Sequence, residues 1–85
     1  MNRDIYTPDY SGNALHGGDP AAIKDLLRFA GQTQSDLARE IGVTRSMIHQ
    51  VIDGVSRSDF VEKAIAEAAG TTVFAIFPAW YQAHE

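Results

Sequence analysis

Residues 34–54 read QSDLAREIGVTRSMIHQVIDG, and the spacing of their apolar side chains decides the fold. Leu37, Ala38 and Ile41 share one helical face. Thr33, three residues before Asp36, has the form of a capping box that would start this helix. Gly42 would end it, because glycine enters the left-handed region without a Cβ penalty. Thr44 can cap a second helix, in which Met47, Ile48, Val51 and Ile52 repeat at helical spacing until Gly54. Only residues 42–44 join the two.

The flanks continue in the same way. Asp19 is placed to cap a helix with Pro20 at its first position, where a missing N–H costs nothing. Ile23, Leu26, Leu27 and Ala30 then fall at i, i+3, i+4 and i+7, and Gly31 is a stop. Beyond residue 54, Phe60, Val61, Ala64, Ile65, Ala68 and Ala69 form a further stripe, with Ser56 or Asp59 as cap and Gly70 as stop. A last short helix over residues 72–77 would end at Pro78. No stretch alternates with a period of two long enough to predict a strand. The expected fold is therefore all-α, a compact bundle of four or five short helices. Residues 1–18, with Pro8, Gly12, Gly17 and Gly18 and no helical period, read as a flexible arm ahead of a domain at 19–85.

Eighty-five residues suffice for one modest core, with roughly 63% of the chain's surface buried on folding. Few remain to line a deep catalytic cleft. A hydrophobic content of 45% with 21% charged residues is that of a globular chain. Without cysteine there is no disulfide, thiolate nucleophile or Cys-ligated zinc. His16, His49 and His84 are widely separated and lack a paired metal-ligand spacing, so neither a metal nor a cofactor is expected. Phosphate-binding glycine loops and nucleophile elbows are also missing, and the carboxylates read as scattered over exposed helix positions, so the chain is not read as an enzyme. With no apolar run of span length and no secretory leader, the expected location is cytoplasmic. The formal charge is −4. Its distribution is uneven: Lys24, Arg28, Arg39, Arg45 and Arg57 lie in the middle, while both ends are acidic.

Two short helices joined by a glycine-containing turn form a helix-turn-helix, whose second helix can enter the DNA major groove. Here Leu37, Ala38, Ile41, Gly42, Val43, Ile48 and Val51 all occupy positions where this motif packs or turns. The pattern over residues 19–77 resembles the lambda-repressor-like family of phage repressors and Cro proteins, which are five-helix DNA-binding domains. The ending FAIFPAWYQAHE, residues 74–85, is similar to that of Ner-type regulators from Mu-like transposable phages. Together the resemblances imply a phage or prophage regulator that binds a double-stranded operator.

Carried over position by position, the resemblance places Arg45, Ser46, His49 and Gln50 toward the groove. Arg45 could pair with guanine O6 and N7, and Gln50 with adenine N6 and N7. Ser46 could meet a base or a phosphate. His49 could touch a thymine methyl, bond a phosphate or face water, and Asp53 reads as a cap or ion-pair residue. For Gln34 the resemblance implies a phosphate contact and a brace for a recognition side chain. Thr33 and Thr44 could donate to phosphates, and Ser56, Arg57 and Ser58 fall where the family touches the backbone. Lys24 and Arg28 read as a solvated face. The aromatic tail has two readings: Phe74 and Phe77 complete the core while Trp80 and Tyr81 cover its edge, or all four form a homodimer contact. The competing function is an interaction module of the same fold, an antitoxin or anti-repressor with a phage or host protein partner.

Overall fold

A computed structural model describes residues 17–81. Among these, five helices follow in chain order: α1 (Pro20–Phe29), α2 (Gln34–Ile41), α3 (Arg45–Ile52), α4 (Asp59–Ala68) and α5 (Val73–Ile76), with no strand. Each starts at a side-chain cap. The Asp19 carboxylate accepts from the Ala21 and Ala22 amides, and Thr44 Oγ1 accepts from Met47 N–H at 3.0 Å. Thr33 and Asp36 form a full capping box, in which each side chain accepts from the other's backbone N–H. Gly42 takes φ +79°, so α2 ends in the left-handed conformation that glycine adopts most readily.

The core is shared by all five helices. Ile23 and Leu27 of α1 meet Leu37 and Ala38 of α2, the Ile48, Val51 and Ile52 side of α3, and Val61, Ile65 and Ala66 of α4. Ile76 and Phe77 close it from the C-terminal end. Removing this much apolar surface from water is the main stabilising term.

Several expectations need correction. Leu26 and Ala30 are exposed, so α1 contributes only the narrow Ile23/Leu27 edge. The cap of α4 is Ser58, whose hydroxyl accepts from Val61 N–H, rather than Ser56 or Asp59. The buried face of α4 is rotated by about one residue, ~100°, from the apolar stripe. Phe60 is 59% exposed, while Glu62 is 0% exposed. The carboxylates are therefore not all on exposed positions.

Of the arm read over residues 1–18, residues 1–16 lie outside the described residues. Gly17 and Gly18 are buried in the domain. The Gly17 carbonyl accepts from Ala79 N–H at 2.8 Å. A Cβ on Gly17 would overlap the Trp80 indole, and one on Gly18 would overlap the Ile76 carbonyl oxygen. The packed unit thus begins before Asp19.

Candidate nucleic-acid interface

Helix α3 has two chemically distinct sides. Ile48, Val51 and Ile52 are each 0% exposed, which seats the helix against the core. That leaves Arg45, Ser46 and His49 exposed and Gln50 half-buried on the other side. Arg45 stands at the first helical position. Of the four arginines among the described residues, Arg28, Arg39 and Arg57 pair with Asp25, Asp36 and Glu62, and only Arg45 has no acidic partner.

The other residues on this side of α3 have neighbours of their own. His49 Nε2 lies 2.9 Å from Asp53 Oδ2, one turn along the helix. Asp53, at the C-cap of α3, is thus a side-chain neighbour of His49. Gln50 Nε2 donates to Ser46 Oγ at 3.2 Å, and Gln50 Oε1 accepts from Ser56 Oγ at 2.9 Å. Gln34 is half-buried, and its Oε1 is buried without a hydrogen-bond partner. Gln50 is therefore held by Ser46 and Ser56. Thr33 and Thr44 use their oxygens as caps, which leaves each hydroxyl proton for another acceptor.

The loop after α3 is held by a cluster that the sequence reading missed. Glu62 Oε2 accepts from Arg57 Nε at 2.7 Å and from Ser58 N–H at 3.3 Å. Its Oε1 accepts from Tyr81 Oη at 2.6 Å and from the Arg57 guanidinium at 3.3 Å. Tyr81 Oη also lies 2.9 Å from Asp59 Oδ1, so its one proton is shared. The Arg57 guanidinium sits 4.5 Å from the Trp80 ring centroid, within cation–π range.

Burial alone would raise the Glu62 pKa. The bonds from Arg57, Tyr81 and Ser58 more than offset it and hold the carboxyl below its usual range. Arg57 and Ser58 thus serve the fold directly. The one signal for this in the sequence was that Glu62 shares a helical face with Val61, Ile65 and Ala66.

The aromatic tail divides. Phe77 is 0% exposed, so its side chain is core and offers no dimer contact. Trp80 and Tyr81 are half-buried. Phe74 is 50% exposed and meets the Tyr81 ring edge to face at 6.2 Å, so it does not complete the core.

A family model for winged helix-turn-helix DNA-binding domains matches residues 18–85. The chain belongs to this family. No curated protein and no solved structure matches it. The family match establishes a helix-turn-helix DNA-binding domain, which is broader than the phage-repressor or Ner type. Within this winged helix-turn-helix the motif itself is α2, residues 42–44 and α3, and the described residues contain no strand to serve as a wing. Among them, no helix is long and apolar enough to cross a membrane, and no group of three or more His, Asp or Glu could hold a metal ion.

Proposed function

We propose that the protein is a sequence-specific transcriptional repressor of phage or prophage type. A homodimer reads an inverted-repeat operator in the major groove and occludes a promoter in the cytoplasm of the host. The observation that carries this reading is Arg45, an arginine on the exposed side of the second motif helix with no acidic partner among the described residues. Arg45, Ser46, His49 and Gln50 face the bases, with Arg45 on guanine and Gln50 on adenine. The hydroxyls of Thr33 and Thr44 and the backbone amides at the α2 and α3 N-termini hold phosphates. The dimer forms around Phe74 and the outer edges of Trp80 and Tyr81, without Phe77.

Selection of bound duplexes from a random pool tests the reading. An enriched inverted repeat with half-sites ~34 Å apart is the expected result. Arg45→Ala then loses at least about tenfold in operator affinity, the scale of one bidentate base contact, with an unchanged Tm. A pool without enrichment rejects the proposal.

The second reading, an interaction module, draws support from Phe60 and Phe74, which stand 59% and 50% exposed. It requires Arg45→Ala to leave partner binding intact.

A further inference from the structure

In a helix-turn-helix, one glutamine on the reading face specifies a base only if its amide is presented in one plane. A free glutamine side chain has several rotatable bonds, and fixing them on binding costs entropy. Gln50 has already been fixed. Ser46, one turn earlier on α3, takes one bond of its amide, and Ser56, in the loop that follows the helix, takes the other. A hydroxyl both donates and accepts, so the two serines fix the amide plane. One N–H and one Oε1 lone pair remain. A donor and an acceptor are the two kinds of group that adenine N7 and N6–H call for.

We propose that Ser56 is a positioning residue for base recognition, holding Gln50 for adenine from outside the recognition helix. The inference rests on the DNA reading above and extends it to a residue first placed on the phosphate backbone.

The loop is built to hold Ser56 in place. Val55 N–H and Ser56 N–H both donate to the Gln50 carbonyl, at 2.9 and 3.3 Å, folding the loop back onto the last turn of α3. The next residue, Arg57, is clamped by Glu62 and stacked on Trp80. The serine backbone is thus held on both sides in the chain. Gln34 does not share this task, since its buried Oε1 has no partner.

The test compares duplex selections for the wild-type full chain, Gln50→Ala, Ser56→Ala and Ser56→Thr. Gln50→Ala identifies the base pair that Gln50 reads, as the one whose preference disappears. Ser56→Ala is expected to weaken preference at that same pair by about threefold to tenfold, part of one bidentate contact. Affinity for unrelated duplex and Tm should stay at wild-type values. Ser56→Thr, which keeps the hydroxyl, should restore the preference.

A Ser56→Ala selection identical to wild type overturns the inference. So does an equal loss on every duplex, which would make Ser56 a phosphate contact, or a failure of threonine to rescue. Absence of any enriched sequence with the wild-type chain overturns the DNA reading itself, a result distinct from all of these.

Discussion

Glu62 can stay ionised inside the fold because four hydrogen bonds from Arg57, Ser58 and Tyr81 replace the water it loses. Removing Arg57 takes away the counter-ion and two of the four bonds, while Ser58 and Tyr81 stay; with Arg57 itself half exposed, the cost falls below the ~3–5 kcal/mol of breaking a fully buried pair. Arg57→Ala is therefore expected to lower Tm by at least several degrees. Arg45→Ala should leave it unchanged, and thermal unfolding followed by circular dichroism separates the two. The Tyr81 phenol is pushed well above its usual range by burial, followed by the bonds to Glu62 and Asp59. For Glu62 the folded-state pKa lies below the unfolded value. Its contribution to stability is then present in full above about pH 4.3, the ordinary glutamate value, and is lost as pH falls through the lower folded value. Urea midpoints measured from pH 7 down to pH 2 should show this loss, and Glu62→Gln should flatten the dependence below about pH 4.

Helices of eight residues, such as α2 and α3, are too short to persist alone in water. Caps and packing hold them. Thr33→Ala removes the acceptor for Asp36 N–H and half of the capping box, at a cost of about 1 kcal/mol. A Tm lowered by several degrees, with base preference unchanged in the duplex selection, is the expected outcome. The caps at Asp19, Thr33 and Thr44, the Gly42 turn and the seating of Ile48 and Val51 were readable, because each depends on residues within about one turn. The face of α4 was misread for the same reason. A glutamate scores as surface at its own position, and its acceptance into the core depends on Tyr81, nineteen residues away.

At the scale of the whole molecule, the two ends of the described chain close on each other. Gly17 and Gly18 lie against Ile76, Ala79 and Trp80, and Tyr81 carries the closure on to Glu62 and Arg57. A methyl group on Gly18 would press on the backbone oxygen of Ile76, which cannot turn aside as a flexible side chain would. Gly18→Ala is thus expected to lower Tm and redden Trp80 fluorescence; wild-type values for both would reject this closure. Charge also acts at this scale. With a net charge of −4 and three arginines paired internally, little free positive charge faces phosphates, so the dependence of log affinity on log salt should be well short of a slope of about −10. The sequence by itself determined the helices, the caps of α1, α2 and α3, the turn at Gly42 and the side of α3 that carries Arg45, Ser46, His49 and Gln50. Periodicity and capping are interactions between near neighbours in the chain. Only the tertiary structure decided that Glu62 is core, that Arg57 serves it, that Phe77 is unavailable to a partner and that Ser56 holds Gln50. Each of these depends on whether distant or loop-borne groups arrive within hydrogen-bonding or packing distance, and no local pattern encodes that.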